Sequence, residues 1–271
     1  MYEPKFTCCM KTALITGATS GIGRELALLL AATGHDLVLS ARNEAQLLRI
    51  KEEAESQGVA VRIFPFDLSK AENAEALYHR LQEARIQIDI LVNNAGFGID
   101  GCYLDIPWEK EEEMLRLDML TVAYFMRVFA AGMKARGFGR ILNIASIAAF
   151  QPGPYMAGYC AAKAFVLSLS EAVNYELKGT GVTVSALCPG VTDTAFHRVA
   201  GTEQVGMSRY LPHASAREVA QYGYELIQER QAVGVYGFFN RLLVFANRLV
   251  PRSVSVYLSA RLLKGKAESG K

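Results

Sequence analysis

The fold class that this sequence predicts is α/β, with one doubly wound parallel sheet. Three observations predict it. Short β-branched apolar runs alternate with longer stretches of helical period from Thr12 to Gly237. The short runs read as strands buried on both faces, the pattern of a parallel sheet with helices on either side. No Pro/Gly/Ser-rich linker divides the 271 residues, 51% of which are hydrophobic, so one core can hold the chain. Right-handed crossovers then wind the sheet in both directions from its centre. In such sheets ligands bind at the carboxyl ends of the strands.

The elements follow in order. "TALIT" (Thr12 to Thr16) is the first strand, and "IGRELALLLAATG" is a helix stopped by Gly34. "DLVLS" is the second strand and "NEAQLLRIKEEAES" the second helix. "AVRIFP" is the third strand, followed by a helix over "SKAENAEALYHRLQEA" with Ser69 as the expected N-cap. "IDILVNN" is the fourth strand, and a long helix covers roughly Trp108 to Arg136. "GRILNIAS" is the fifth strand. A helix over "GYCAAKAFVLSLSEAVNYEL" and the strand "VTVSALCPG" come next. "ASAREVAQYGYELIQER" and "AVGVYG" supply a last helix and strand. Residues 1–10 read as a leader, partly disordered. Residues 11–237 form the domain, and 238–271 a basic amphipathic extension of it.

Composition narrows the function. A formal net charge of +2 carries no basic surplus for nucleic acid. Cys8, Cys9, Cys102, Cys160 and Cys188 fit neither a zinc site nor a disulfide framework. They read as reduced thiols of a cytoplasmic protein, and no metal is expected. The leader lacks the apolar segment of a signal peptide. No apolar run reaches the ~20 residues that span a bilayer.

The strand ends carry the candidate chemistry. After the first strand comes "TGATSGIG", with Gly17, Gly21 and Gly23 between a strand and a helix start. Glycines there let backbone turn tightly against a pyrophosphate, whose charge the helix N-terminus holds. The spacing is not the G-x-G-x-x-G fingerprint. At the end of the second strand, "LSARN" has no acid to accept from a ribose 2′-hydroxyl, and it offers Arg42. A guanidinium fork suits a 2′-phosphate, and the alternative is a solvated first-turn side chain. Asp67 either accepts from an adenine amino group or caps a turn. "NNAG" (Asn93 to Gly96) either lets backbone pass close to a flat ligand or is a plain turn. Ser146 ends the fifth strand, thirteen residues before Tyr159. Tyr159 and Lys163, four apart in "YCAAK", share one helix face.

Together, "TGATSGIG", "NNAG", Ser146, "YCAAK" and "CPG" (Cys188 to Gly190) resemble the short-chain dehydrogenase/reductase family, in its order and spacing, over about Lys11 to Gly237. The stretch "AAFQPGPYMAGYCAAKAF" is similar to a bacterial DltE-like subgroup of that family. The resemblance implies a Rossmann fold, a cofactor NAD(P)(H), and hydride transfer between nicotinamide and a carbonyl or alcohol. It implies a dinucleotide seat made by Gly17, Thr19, Ser20, Gly21, Ile22, Gly23, Arg42, Asp67, Leu68, Asn94, Ala95, Gly96, Tyr159, Lys163, Pro189, Gly190 and Thr194. Tyr159 is then the proton donor and Lys163 its cationic neighbour on the nicotinamide ribose. Ser146 holds the substrate oxygen. A cation at ~4 Å contributes roughly 4 kcal/mol at an effective dielectric of ~20, which pulls the phenol pKa down, with burial acting the other way. Where many members place an asparagine in the long helix, this sequence has Asp118. A proton relay there runs through the backbone carbonyl or through the carboxylate itself.

The loops implied to form the substrate pocket contain Phe97, Ile99, Phe150, Met156, Phe196, Tyr210 and Leu211, with Arg198 and Arg209 as the nearby cations. Phe97, Phe150, Met156 and Phe196 are the expected substrate contacts. This favours a hydrophobic carbonyl or alcohol with NADP(H), NAD(H) remaining possible. The rivals are an NAD-linked alcohol or hydroxysteroid dehydrogenase and, outside enzymes, a cofactor-binding regulator or scaffold. A homo-oligomer, dimer or tetramer, is expected. In the tail, Phe239, Leu242, Leu243, Ala246 and Leu249 fall at helical spacing with Arg241 and Arg248 between, and Pro251 separates a second basic helix reaching Lys264. That tail covers the cleft, packs on a second subunit, or lies on a membrane surface.

Overall fold

Each strand of the computed structural model divides its side chains between two cores. The structure describes residues 11–194 and 212–263. Ala13 and Ile15 of β1 (Thr12–Thr16) face one core with Leu37 and Leu39 of β2 (Asp36–Ala41). Leu14 and Val38, between them, face the other core. Helices α1 (Gly21–Ala32), α2 (Glu44–Glu55) and α7 (Ala216–Glu229) cover the first face through Leu26, Leu30, Leu47, Ile50, Val219 and Leu226. On the second face α3 (Ala71–Glu83) and α5 (Val122–Arg136) contribute Leu77, Leu81, Phe125, Phe129 and Met133. The helix α6 (Ala157–Glu176) runs on from the loop after β5 (Gly139–Ile144).

The seven strands lie in the order β3-β2-β1-β4-β5-β6-β9, where β3 is Val61–Pro65, β4 Ile90–Asn93, β5 Gly139–Ile144, β6 Val182–Cys188 and β9 Val233–Val235. Every pairing is parallel. The chain therefore reverses its winding between β1 and β4, and the ends of these strands open into one crevice. Two-residue strands β7 (Thr192–Asp193) and β8 (Ala214–Ser215) pair beside it.

Three boundaries differ from the sequence reading, each for a local reason. Ser69 does not cap α3. The cap is Lys70, and the Ser69 hydroxyl instead donates to Asp67 Oδ1 at 2.7 Å. The helix from Trp108 to Arg136 is interrupted: α4 (Trp108–Leu115) passes into a π-helical stretch, Arg116–Thr121, before α5. Ser146 lies two residues past the end of β5, where it caps a one-turn 3-10 helix, Ile147–Phe150. The tail forms α8 (Phe238–Leu249) and α9 (Arg252–Leu263), broken at Pro251 as expected. However, its stripe of Phe239, Leu242 and Leu249 faces outward, because α8 packs inward through Asn240 and Val244.

Candidate active site

A cleft of about 580 Å³ runs along the strand ends from Arg42 to Leu263. Its floor at one end is the turn after β1. Gly17 holds φ +65° there, and a Cβ on it would lie 2.9 Å from Ala95 Cα. At Gly23 a Cβ would lie closer still to the Asn94 side chain, so α1 starts hard against the β4 turn. Asn94 clamps that turn, its Nδ2 donating to Thr16 O at 3.0 Å and Gly17 O at 3.1 Å. The backbone N–H groups of Asn94 and Ala95 both donate to Thr16 Oγ1 at 3.0 Å. "NNAG" is thus more than a plain turn: it locks the glycine loop to β4. Thr16 was not a sequence candidate, and a threonine ending an apolar strand gives no signal by itself.

No side chain caps α1, and Ser20 at its N-cap is exposed, so the first N–H groups of the helix face the cleft. Thr19, Ser20, Gly21 and Ile22 line this end, as do Leu68, Asn94, Ala95 and Gly96. Arg42 is exposed at the end of β2 and lines the cleft beside Ser40 and Asn43. Asp67 is the single carboxylate among the described lining residues. Its Oδ1 caps the turn, accepting from both the hydroxyl and the backbone N–H of Ser69. Gly23 stands behind the wall rather than in it.

At the middle of the cleft, Ser146, Tyr159 and Lys163 converge. The Ser146 hydroxyl stands close enough to the Tyr159 phenol to stabilise its ionised form. Ser146 Oγ also accepts from Ala148 N at 3.1 Å, which fixes its rotamer. Lys163 Nζ donates to Ile144 O at 3.1 Å and lies 5.6 Å from the centre of the Tyr159 ring. Behind them, Asp118 is fully buried in the π-helical stretch. Its Oδ1 accepts from Phe97 N at 3.1 Å. Its Oδ2 sits 2.9 Å from Lys163 Nζ, in ion contact but off the line of a good hydrogen bond. Such π insertions recur at functional sites, and the carboxylate approaches closely enough that a Cβ at Gly96 would lie 2.8 Å from Oδ1. Asp118 does not itself line the cleft.

The electrostatics differ from the sequence expectation. Burial pushes the Tyr159 phenol above its ordinary range. Lys163 pulls it down, and Asp118 pushes it up again. Burial is the largest of these effects, and with Asp118 added the net direction is up rather than down. Burial works against the Lys163 ammonium, but Asp118 and Tyr159 outweigh it and raise its pKa. Burial likewise raises the Asp118 carboxyl against the pull of Lys163.

The far end of the cleft is apolar. Phe97, Ile147, Ala148, Met156, Cys160 and Leu263 line it. Phe150 does not, contrary to expectation. Its ring packs with the cluster of Val166 and Leu167, and its carbonyl accepts from Asn247 Nδ2 at 2.6 Å. Leu263, at the end of α9, closes this wall and was missed, because nothing in the sequence says where a tail ends in space. Pro189, Gly190 and Thr194 line the cleft after β6. Phe196, Arg198, Arg209, Tyr210, Leu211 and Lys264, with Cys8 and Cys9, lie outside the described residues. Cys102, Cys160 and Cys188 form no disulfide. Burial pushes Cys160 up to about 11 and Cys188 up to about 12, so both remain unreactive thiols. Among the described residues there is no metal-ligating cluster and no helix long and apolar enough to cross a membrane.

The chain matches the family described as short chain dehydrogenase over residues 11–204. It is 36% identical over 193 residues to "Probable oxidoreductase EphD" of Mycobacterium bovis, covering 71% of this chain and 33% of that protein. The chain thus spans about a third of that relative's length. Two solved structures share the fold across most of both chains. A short-chain dehydrogenase from Sphingobium yanoikuyae in complex with NADPH is 31% identical with a TM-score of 0.79, covering 89% of this chain and 94% of its own. A short chain dehydrogenase/reductase from Burkholderia phymatum in complex with NAD is 27% identical with a TM-score of 0.80, covering 95% and 98%.

Proposed function

The chain belongs to the short-chain dehydrogenase family, and on that premise we propose that it is an NADPH-linked reductase of hydrophobic carbonyls, able to run in reverse on the alcohols. One observation carries the reading: the Tyr159 phenol, beside Ser146 and one helical turn from Lys163, stands in the cleft between a phosphate-suited glycine turn and an apolar wall. The cradle fits a dinucleotide. Gly17 leaves no room for a Cβ, and the open N-terminus of α1 faces the cleft. Gly17 to Ile22, Asn94 to Gly96, Lys163, Pro189, Gly190 and Thr194 would hold it, and Arg42 would take a 2′-phosphate. When bound, the nicotinamide supplies the hydride for the carbonyl carbon.

The protein's residues handle the proton. Ser146 positions the substrate oxygen beside the phenol, and Tyr159 Oη gives that oxygen its proton as the C–O bond becomes an alcohol. A phenol pKa raised by burial keeps the acid form in place across neutral pH. In the oxidative direction the phenolate must form first. The alcohol-oxidation rate is therefore expected to climb with pH through the alkaline range. Asp118 touches neither cleft nor substrate. It is a positioning residue, holding Lys163 and the Phe97 backbone.

The apolar wall favours long or cyclic ketones and aldehydes over small keto acids. Each methylene buried there adds about 0.8 kcal/mol, or about fourfold in kcat/KM. A carbonyl panel spanning chain length and ring size, followed by NADPH absorbance, tests the reading. A preference for short charged substrates would overturn it.

Two variants refine it. Arg42→Ala should weaken NADPH at least about tenfold while leaving NADH nearly unchanged, since a charge-assisted hydrogen bond contributes about 1.5–3 kcal/mol. Equal losses for both cofactors, measured by fluorescence titration, would make Arg42 a solvated side chain and favour the NAD-linked alternative. Asp118→Asn removes an anion that raises the Tyr159 pKa. The alkaline limb of alcohol oxidation should move to lower pH, with reductive kcat changed by only a few-fold. The amide oxygen can still accept from one of the Phe97 N–H and the Lys163 ammonium, which Asp118 meets with two separate oxygens, and the backbone carbonyl is untouched. A tenfold fall in kcat at every pH, with circular dichroism intact, would make the carboxylate part of the proton path.

A further inference from the structure

The two tail helices leave most of their large apolar side chains facing outward. α8 packs on the body through Asn240, Leu243, Val244 and Asn247, while Phe238, Phe239, Leu242, Phe245 and Leu249 stand between 53% and 75% exposed. α9 buries Ser255, Ser259 and Leu263 and exposes Val254, Val256, Tyr257 and Leu258. Hydrogen bonds fix this orientation. Asn240 Nδ2 donates to Tyr236 O at 2.8 Å, Asn247 Nδ2 to Phe150 O at 2.6 Å, and Ser255 Oγ to Asn247 Oδ1 at 2.6 Å. A Cβ at Gly190 would meet Asn240, so α8 cannot roll its apolar side inward without losing this fit. Exposed apolar surface on this scale marks a contact site.

The charge around it says what fits. Residues 238–263 hold Arg241, Arg248, Arg252 and Arg261 and no acidic residue. Arg241 is used within the fold, its Nε donating to Val235 O at 2.9 Å. Arg248, Arg252 and Arg261 are exposed and have no carboxylate partner among the described residues. Arg248 and Arg252 flank Leu249 on either side of the break at Pro251. An isologous contact between two copies would bring these arginine-rimmed faces together with no carboxylate from either stretch. A lamellar anionic surface satisfies both features, taking the aromatic side chains at its acyl boundary and the guanidinium groups at its headgroups. We propose that α8 and α9 form a peripheral docking surface for an anionic lipid bilayer, lying on it rather than crossing it. The inference is independent of the hydride chemistry.

The test is flotation of the 271-residue protein with vesicles of phosphatidylcholine alone or with one-third phosphatidylglycerol. Binding to the anionic vesicles is expected to exceed binding to the neutral ones by at least about tenfold and to fall with salt. Phe245→Glu with Leu249→Glu should abolish it. Arg248→Gln with Arg252→Gln should lower it by roughly 25-fold, at about fivefold per basic residue near such a surface. Both pairs alter exposed positions, so dinucleotide binding should be unchanged and reports that they fold. A Phe245→Trp protein should show tryptophan quenching by brominated anionic lipid beyond that of its native Trp108. The proposal fails if the parent protein floats with neither vesicle, if both variant pairs float like the parent, or if the introduced tryptophan is not quenched. It fails too if Phe245→Glu with Leu249→Glu changes the oligomeric mass without lipid, which would make a second copy the occupant.

Discussion

Tyr159→Phe is expected to bind the dinucleotide as the parent does and to lose about 10²–10⁴-fold in kcat, the range that a positioned general acid contributes. The substitution removes one oxygen from a side chain only 8% exposed and leaves the ring packed among Met114, Met156 and Cys160. The fold should therefore hold, because an apolar ring in that cluster needs no partner. Ser146 still accepts from Ala148 N, so its rotamer survives as well. Only the proton has nowhere to come from. Single-turnover reduction, compared with cofactor binding by fluorescence, separates these quantities. A purified Tyr159→Phe protein with kcat within about threefold of the parent would remove the phenol from the mechanism.

The second large effect is on stability as well as rate. Lys163→Met would strand the Asp118 carboxylate, which is 0% exposed, beside an apolar side chain. Removing one partner of a buried pair costs about 3–5 kcal/mol, because the other charge stays desolvated. The sign of the pH dependence follows. Burial already raises the Asp118 carboxyl, and losing the lysine raises it further. A carboxyl with a folded pKa above its unfolded value of about 3.9 penalises folding increasingly as pH climbs from there to the folded pKa, and constantly beyond it. The destabilisation should thus be largest near pH 8 and shrink toward pH 5, as the stranded acid takes up a proton. Urea denaturation of parent and variant at the two pH values measures it. Adding Asp118→Asn to Lys163→Met should recover much of the loss, since a neutral amide replaces the unpaired charge. A loss independent of pH, and not relieved in the double variant, would mean that packing rather than charge sets the cost.

Periodicity and residue order determined most of this architecture by themselves. The strand runs, the helix lengths and the glycine turn are local patterns, and alternation of strands with helices leaves few ways to wind a parallel sheet. The spacing of Tyr159 and Lys163 puts them on one helix face before any contact is known. Ser146 was legible as a hydroxyl near a strand end, because strand ends are where a doubly wound sheet opens.

What the tertiary structure alone decided is what stands behind those residues and what faces water. Asp118 pairs with Lys163 from 45 positions away in sequence, and no local rule gives a charge two neighbours to divide. Burial is the largest reason that the Tyr159 phenol shifts up rather than down, and Asp118 adds to it. Phe150 left the expected pocket because Asn247, nearly a hundred residues on, holds its carbonyl. The tail was expected to be an amphipathic extension, with no orientation assigned to it. Hydropathy marks which side of a helix is apolar, whereas the hydrogen bonds of Asn240 and Asn247 determine which side the body receives. Here they turned Asn240, Val244 and Asn247 to the body, and most of the large apolar side chains were left facing out.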